Sequence, residues 1–248
     1  MKSNYEKIIK YIVDNGKILV QTSEGLKPDR REKFFKNADI EIERGLKEII
    51  FSFGIDHILY SEEENNIFKD SKNIWVADPI SGTQSFLNGL PHYCLVVSHL
   101  VDNTVVFACI YDPSVDELFT AYYGKGAFLN NKQVFVSDKS NTISLRGLMH
   151  FSDKKLVNKL LEIVPKTFNL QKSFYSYSYN YCSVACGRLD GIISLTKDSF
   201  PEFAGSLLIR EARGSFTNSK GDIAFSEDDR IFIAGNKQTY EKLFSFIK

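Results

Sequence analysis

The sequence predicts a mixed fold, with an α+β first half and an α/β second half. Two early segments, residues 5–21 and 40–53, repeat apolar side chains at helical spacing. Runs rich in Val, Ile, Phe and Tyr follow, and beyond residue 138 helical patterns alternate with short apolar strands. With 43% apolar residues among 248, the chain can build one large or two modest domains.

The segment between the two predicted helices is unusually rich in charge. Residues 27–33 read Lys-Pro-Asp-Arg-Arg-Glu-Lys. Such a cluster is typical of a solvated loop, and the alternative is a mobile basic flap over an anionic substrate. We expect the loop.

Three consecutive strands are predicted at residues 95–100, 105–111 and 117–123. Asp102-Asn103 and Asp112-Pro113 supply the turns between them. An antiparallel meander is therefore expected.

A polar stretch at residues 138–142 is the best candidate for a domain boundary. We expect an N-terminal α+β domain at residues 1–137 and a C-terminal α/β domain at residues 138–248. The segment from Trp75 to Phe86 would belong to the first domain.

Composition excludes several classes of function. Thirty-one basic and thirty-one acidic residues cancel, so nothing in the global charge indicates nucleic acid or a membrane surface as a partner. The chain shows neither a signal-peptide pattern nor a membrane-spanning apolar stretch, so a cytoplasmic location is expected.

The four cysteines lack a C-x-x-C pair and are expected to be reduced core residues. The alternative is a metal or redox role for Cys182 and Cys186, which are four residues apart.

The most informative segment runs from Trp75 to Phe86. An apolar run at residues 74–77 leads Asp78 into a turn that contains Gly82, and Thr83 follows at the start of a predicted short helix. A carboxylate at a strand end can bind a hard divalent cation, and free backbone N–H groups at a helix start attract phosphate oxygens. The segment therefore predicts a site for a cation and a phosphate together, although Asp78 could also serve only as a turn or helix cap.

This segment resembles the signature of the inositol monophosphatase family, Asp-Pro-(Ile/Leu)-Asp-Gly-Thr-x-(Asn/Ser)-Phe. Further strings match in family order, and they lie at residues 89–93, 110–117, 124–128, 184–191 and 205–212. The resemblance, which is strongest to the bacterial extragenic-suppressor (SuhB-type) branch, implies a layered α-β-α-β-α sandwich shared with the sugar phosphatases. It also implies a homodimer, a small phosphorylated metabolite as substrate, and phosphomonoester hydrolysis that depends on Mg²⁺.

The resemblance assigns a first metal site to three residues. Glu62 matches the first metal-binding glutamate, Asp78 the bridging aspartate, and the Ile80 carbonyl a backbone ligand. Taken alone, residues 62–64 are three consecutive glutamates, which are typical of an exposed acidic turn.

The resemblance also assigns the catalytic and phosphate-binding groups. Asp39 and Thr83 match the pair that orients the attacking water, and Gly82 and Thr83 match the N–H donors to phosphate. Without the resemblance, Asp39 would be interpreted as a surface helix residue.

The second metal site departs from the family pattern. Ser81 stands where the pattern has its second aspartate, and an ungapped alignment places Pro201 at the third. A hydroxyl is a weak Mg²⁺ ligand and proline has no side-chain donor, so we expect one Mg²⁺ site and an unfilled second one, with weakened activity. Glu202 could reach in as a substitute or could serve only the helix dipole, and Asp198 is a weaker candidate.

Substrate recognition departs from the family pattern as well. Ser194 lies where inositol-specific members have a glutamate that contacts inositol, and bulky residues including Tyr177 replace small ones in residues 173–181. We expect Ser81, Ser194 and Tyr177 to line the substrate pocket. The alternating tyrosines predict a strand edge or a filled pocket, or alternatively an aromatic surface for a ligand or partner.

Three functions remain open from the sequence. The first is an Mg²⁺-dependent phosphomonoesterase with weakened activity. The second is a catalytically inactive family member that binds a phosphorylated ligand or a protein partner. The third is a phosphatase that has shifted to another sugar or nucleotide phosphate.

Overall fold

The computed structural model describes residues 2–61, 71–171, 176–196, 200–224, 226 and 228–248, without the side chains of Lys2 and Pro28. Within these ranges the chain forms seven helices and twelve strands. The helices are α1 (Lys2–Ser23), α2 (Pro28–Phe51), α3 (Thr83–Leu87), α4 (Lys154–Thr167), α5 (Tyr177–Ala185), α6 (Phe200–Glu211) and α7 (Lys237–Ile247). The strands are β1 (His57–Ser61), β2 (Asn73–Ser81), β3 (Cys94–Val101), β4 (Thr104–Asp112), β5 (Glu117–Tyr122), β6 (Gly126–Leu129), β7 (Lys132–Val134), β8 (Thr142–Arg146), β9 (Asn169–Gln171), β10 (Gly191–Leu195), β11 (Ser215–Asn218) and β12 (Ile231–Gly235).

The strands form two sheets. The first has the order β1-β2-β3-β4-β5-β6-β7, and every neighbouring pair is antiparallel except β1 and β2. The predicted meander is therefore confirmed at β3, β4 and β5. The second sheet has the order β11-β12-β10-β8-β9, in which β8, β9 and β10 are parallel and β12 is antiparallel to its neighbours.

Three apolar clusters show how the helices cover these sheets. Helices α1 and α2 bury side chains such as Ile12 and Leu46 against one face of the first sheet. Helices α5 and α6 lie between the sheets, where Tyr181 and Leu208 join a cluster with residues of both. Helices α4 and α7 cover the outer face of the second sheet.

The order of layers is helix, sheet, helix, sheet, helix. The expected α-β-α-β-α sandwich is confirmed, with the mixed α+β and α/β character that the sequence predicts. The predicted boundary between residues 137 and 138 lies between the last strand of the first sheet and the first strand of the second. One apolar cluster extends across it, and the division into two domains stays a prediction.

The prediction of a loop at residues 27–33 is wrong. Helix α2 begins at Pro28, so most of the charge cluster forms its first turns. Proline is favourable at the first helical position because its missing N–H would have no partner within the helix. Asp29 in the first turn is favoured by the helix dipole.

The prediction of a strand edge for the alternating tyrosines is also wrong. Tyr177, Tyr179 and Tyr181 lie on helix α5, while residues 172–175 lie outside the described part of the chain. The hydroxyl of Ser176 caps this helix by accepting the backbone N–H of Tyr179 at 3.1 Å.

The four cysteines are free, as expected. Three of them are buried and Cys186 is half-buried, and burial raises the pKa of all four thiols. In the part of the chain that the structure describes, no helix combines the length and the apolar character needed to cross a bilayer.

Candidate active site

The Asp78 segment lies at an irregularity in the first sheet. On β2, Asp78 pairs with Val96 and Ser81 pairs with Cys94, so three steps along β2 face two steps along β3. Pro79 lies in this bulge, where its missing N–H costs no ladder hydrogen bond. The extra residue turns the chain out of the sheet directly before the short helix α3.

Gly82 makes this turn possible. Its φ of 95° lies in the left-handed region, and a Cβ added to it would lie 2.8 Å from the Cβ of Ser176. A side chain at this position would therefore be strained and would collide with the start of α5. The glycine lets the Asp78 loop and helix α5 approach closely.

A cavity of about 360 Å³ opens between this loop and the second sheet. Its first wall is the Asp78 loop, represented by Asp78, Ile80, Ser81, Gly82, Thr83 and Ser85. Its second wall comes from the ends of β8 and β10 and the starts of α5 and α6, represented by Arg146, Gly147, Tyr177, Leu195, Thr196 and Pro201. The size suits a small-molecule ligand.

The structure brings most of the predicted site residues together in this cavity. They are Asp78, Ile80, Ser81, Gly82, Thr83 and Tyr177. Asp78 is nearly buried at 5% exposure, whereas Thr83 is exposed at the first position of α3. Pro201 also lines the cavity. Glu62 and Asp198 lie outside the described residues.

Asp39 is placed beside this wall and does not line the cavity. It is only 5% exposed on α2, a helix that packs against β2 and α3. The interpretation of Asp39 as a surface residue is therefore wrong. Glu43, one helical turn later, is buried as well. Sequence reasoning missed Glu43, although two acids four residues apart on an amphipathic helix were a visible signal.

Glu202 is not among the residues that line the cavity. It lies in the first turn of α6, has no exposed surface, and accepts a hydrogen bond from the Tyr181 hydroxyl at 2.9 Å. Burial, followed by the nearby Glu202 charge, raises the pKa of Tyr181 well above its ordinary value. The neighbouring residue Pro201 reaches the cavity instead. A metal role for Glu202 stays a prediction that this geometry does not favour.

Ser194 likewise lies behind the cavity wall. It is fully buried on β10, between Arg146 of β8 and Phe232 of β12 in the ladder. The next two residues, Leu195 and Thr196, line the cavity. The predicted contact between Ser194 and a substrate is therefore not favoured by its position.

Hydrogen bonds join the two walls at their base. The Ser178 hydroxyl on α5 donates to the Ser81 hydroxyl at 3.1 Å. The backbone N–H of Ser176 donates to the His92 carbonyl at 3.1 Å, and the Ser176 hydroxyl donates to the Cys94 sulfur at 3.4 Å. The residue at the second aspartate position thus belongs to a neutral hydroxyl pair.

Arg146 is a cavity residue that sequence reasoning missed. Its guanidinium carbon lies 5.0 Å from the centroid of the Tyr177 ring, and the Tyr177 hydroxyl donates to the Leu195 carbonyl at 3.3 Å. Burial lowers the pKa of Arg146 from its ordinary value, yet a guanidinium stays protonated near neutral pH. The only signal in the sequence was a basic residue at the end of an apolar strand.

The donor atoms fit one Mg²⁺ in part. Asp78 and Ile80 line the first wall, where a carboxylate and a backbone carbonyl could supply the oxygen ligands that Mg²⁺ requires. At the positions that the family resemblance assigns to a second metal, the Ser81 hydroxyl and Pro201 do not fit a dication. Within the described residues, no three His, Cys, Asp or Glu side chains cluster in a way that could hold a metal ion.

Comparisons with known proteins agree with this architecture. The chain is 34% identical over 155 residues to inositol monophosphatase 2 from Solanum lycopersicum, a match that covers 59% of this chain and 58% of that protein. It is 30% identical to Nus factor SuhB from Vibrio cholerae, over 87% of this chain and 82% of that protein. It is also 30% identical to inositol-1-monophosphatase from Rhizobium meliloti, over 87% and 83%.

A solved structure gives the same result for the fold. The extragenic suppressor protein suhB from Bartonella henselae superposes with a TM-score of 0.84 at 25% identity, over 97% of this chain and 96% of that one. The model of the inositol monophosphatase family matches residues 5–247. This chain therefore belongs to the inositol monophosphatase family.

Proposed function

We propose that this chain is a Mg²⁺-dependent phosphomonoesterase of the inositol monophosphatase type that works with a depleted second metal site. The observation that carries the proposal is the first wall of the cavity. There, Asp78, the Ile80 carbonyl, Gly82 and Thr83 lie on one continuous turn, in the order of the family motif. The substrate would be a small phosphorylated metabolite, which a cavity of about 360 Å³ can hold.

The proposed first metal site consists of Asp78, the Ile80 carbonyl and Glu62. Mg²⁺ held there would polarise a phosphate oxygen and activate water for attack. The burial of Asp78 excludes most bulk water from its carboxylate, which strengthens its interaction with any cation.

Binding and positioning fall to the neighbouring residues. The backbone N–H groups of Gly82 and Thr83 would donate to phosphate oxygens. The left-handed turn at Gly82 would direct these N–H groups toward the ligand. The Thr83 hydroxyl would orient the attacking water, and Asp39, which does not itself line the cavity, would act with it through Thr83. The packing of α2 against α3 supports this pairing because it places both residues on adjoining elements.

The depletion of the second site predicts a reduced rate. Two of its three expected carboxylates are absent, because Ser81 bears a hydroxyl shared with Ser178 and Pro201 bears no donor. Hydrolysis of a phosphate monoester has one of the highest uncatalysed barriers known, so loss of one cation removes a large part of the charge stabilisation.

The first experiment is a phosphate-release assay. Inositol, sugar and nucleotide monophosphates are tested with Mg²⁺ and Mn²⁺ varied, and Glu62→Gln is measured beside the parent protein. Turnover that requires metal and disappears in Glu62→Gln supports the proposal. No metal-dependent turnover on any substrate contradicts it.

Restoring the family residues gives a second test. The double variant Ser81→Asp with Pro201→Asp is expected to gain activity if the scaffold is otherwise intact. If the folded double variant still released no phosphate, the second wall of the cavity, and not only the metal site, would block catalysis.

A catalytically inactive binding protein is the second candidate, and the neutral pair at Ser81 and Ser178 is the observation that favours it. The relatives named Nus factor SuhB carry a name other than phosphatase. Thermal melting during a Mg²⁺ titration separates the candidates, because a filled site raises the melting temperature and an unfilled one does not. A shift to another sugar or nucleotide phosphate is the third candidate, and the substrate panel tests it.

We also propose that the chain forms a homodimer, as the family resemblance implies. Light scattering coupled to size-exclusion chromatography tests this. A mass of about 57 kDa, twice the 28.3 kDa of one chain, is expected.

A further inference from the structure

Arg146 lies where the second sheet opens into the cavity. It is the last residue of β8, which runs parallel to β10, so both strands end at the same edge of the sheet. Ligands of α/β sheets bind beside the carboxyl ends of parallel strands. Arg146 and Leu195, the last residues of these two strands, both line the cavity.

The local packing fixes the path of the chain here. Gly147 has a φ of 78°, and a Cβ added to it would overlap the Leu195 carbonyl oxygen. The Tyr177 ring lies against the guanidinium of Arg146, and its hydroxyl is held by the same carbonyl. A cation over an aromatic face is stabilised, and a planar guanidinium backed in this way loses little further freedom on binding a ligand.

The two walls of the cavity differ in what they offer a ligand. The first wall carries Asp78 and the backbone turn at Gly82 and Thr83, which the proposed function assigns to metal and phosphate. The facing wall carries Arg146. A substrate whose phosphate lies on the first wall could therefore extend the rest of its body toward the wall that carries Arg146.

The chemistry of arginine limits which groups of a substrate it can bind strongly. A guanidinium has only donors, arranged in a fork that matches the two oxygens of a carboxylate or phosphate. A neutral polyol offers single hydroxyl oxygens and gains less from a charged fork. Because Arg146 is half-buried, an anion bound to it would be partly shielded from water.

We propose that Arg146 is a specificity-determining residue that binds a second anionic group, a carboxylate or a further phosphate, on the substrate. The proposal rests on the phosphatase function proposed above. It identifies the substrate class as a phosphomonoester with a second negative charge on the part that leaves.

Matched pairs of substrates test the proposal. Phosphoglycerate and glycerol phosphate differ by a carboxylate in place of a hydroxymethyl group, and a hexose bisphosphate differs from its monophosphate by one phosphate. The parent protein should show a higher kcat/KM for the doubly anionic member of at least one pair. The pair that shows it identifies the carboxylate or the phosphate as the recognised group.

Variants assign that preference to Arg146. Arg146→Gln should lower kcat/KM for the doubly anionic member by roughly 10- to 100-fold, and by less than about 3-fold for the singly anionic one. Arg146→Lys, which keeps the charge without the fork, should fall between. Arg213→Gln is the control, because Arg213 stacks on Phe135 with a guanidinium-to-ring distance of 4.6 Å and is not among the cavity residues. It should leave both members unchanged.

Two outcomes would overturn the proposal. Equal losses on both members of each pair would place Arg146 at the scissile phosphate or in the structure. If Arg146→Gln kept the parent's preference for the doubly anionic substrate, Arg146 would not be the group that binds the second anion. Thermal melting of each variant checks that it is folded. If Arg146→Gln is unfolded, the comparison is made with Arg146→Lys instead.

A binding measurement separates this proposal from the phosphatase function. Calorimetry compares phosphonopropionate, which carries a carboxylate, with propylphosphonate, which does not. Tighter binding of phosphonopropionate to the parent, lost in Arg146→Gln and kept in Arg213→Gln, supports the proposal even if no substrate turns over. Equal affinity for both probes, together with no preference in the turnover pairs, overturns it.

Discussion

His99 is expected to make the folded protein lose stability as the pH falls below neutral. It lies on β3 with 1% exposure, and its ring stacks on Trp75 with a centroid separation of 4.2 Å. Its Nδ1 is 3.0 Å from the Tyr5 hydroxyl and its Nε2 is 3.2 Å from the Asn73 amide oxygen. The amide oxygen can only accept, so Nε2 carries the proton, Nδ1 accepts from Tyr5, and the neutral ring is fully bonded.

The size of the effect follows from the pKa of His99. Burial, and then the charge of the nearby His57, lowers it from 6.5 to about 4. Between these values the unfolded chain binds a proton that the folded chain does not, so the free energy of unfolding rises with pH in this window and falls as the solution is acidified. Between about pH 7.5 and about pH 5 the loss from this one group is about 2 kcal/mol.

Urea unfolding at these two pH values measures the loss, with fluorescence of Trp75, the single tryptophan, as the signal. His99→Gln can accept from Tyr5 and donate to Asn73 without titrating, so its loss between the two pH values should be about 2 kcal/mol smaller than that of the parent. His150→Gln, at an exposed histidine, is the control and should behave like the parent.

Other titrating groups cancel in this comparison. Burial raises the pKa of Asp112, which acts in the opposite direction because stability from a raised carboxyl pKa is lost as the pH rises. Asp112 is present in all three proteins, so only the difference between them reports on His99. The reasoning is refuted if His99→Gln loses as much stability on acidification as the parent does.

Two further predictions concern the structure around the cavity. Gly82→Ala should lower the free energy of unfolding by about 1–3 kcal/mol more than Gly25→Ala does. Both glycines have positive φ, but only at Gly82 would an added Cβ meet a neighbouring atom at 2.8 Å. Equal losses in urea unfolding would show that this close approach costs no stability. Tyr181→Phe should cost about 1–3 kcal/mol because it removes one hydrogen-bond donor to the buried Glu202 carboxylate, whereas Tyr123→Phe, at an exposed tyrosine, should be neutral. A Tyr181→Phe protein as stable as the parent would contradict the role of that hydrogen bond.

The strands of the first sheet were predictable because their signals are local. Residues 95–123 contain apolar runs of strand length separated by turn pairs, and Asp102 and Asn103 adopt the positive φ that such residues tolerate. The charge cluster at residues 27–33 was not predictable by the same means. Exposed charges occur both in loops and on the first turns of helices, and Pro28 is compatible with either.

Helix α5 shows why periodicity fails for a fully enclosed element. Residues 178–185 are all buried between the two sheets, so this part of the helix has no solvent-exposed face to set a period of 3.6 residues. The alternating tyrosines then imitate the period of a strand. The N-cap at Ser176 was the correct local signal.

The site was predictable where it is one continuous loop and not where it depends on side-chain direction. Asp78, Gly82 and Thr83 are neighbours in sequence, so their joint presence in the cavity follows from the turn. Whether Ser194 and Glu202 reach the cavity depends on the pleat of a strand and the rotation of a helix, and a difference of one residue changes the outcome. Arg146 joins the site only through the pairing of β8 with β10, which the sequence does not display.

The changes on the two walls alter the same property of the cavity, which is its charge. Where the family pattern has two carboxylates that would attract a dication, this chain has Ser81 and Pro201, which are neutral, and it adds the guanidinium of Arg146 to the same cavity. A second Mg²⁺ would lose its ligands and would also be repelled by the guanidinium. An anionic group on the ligand gains on both counts, because two competing carboxylates are absent and a cation fixed to the protein is present. The proposed loss of the second metal site and the proposed recognition of a second anion would then be two consequences of one change in charge.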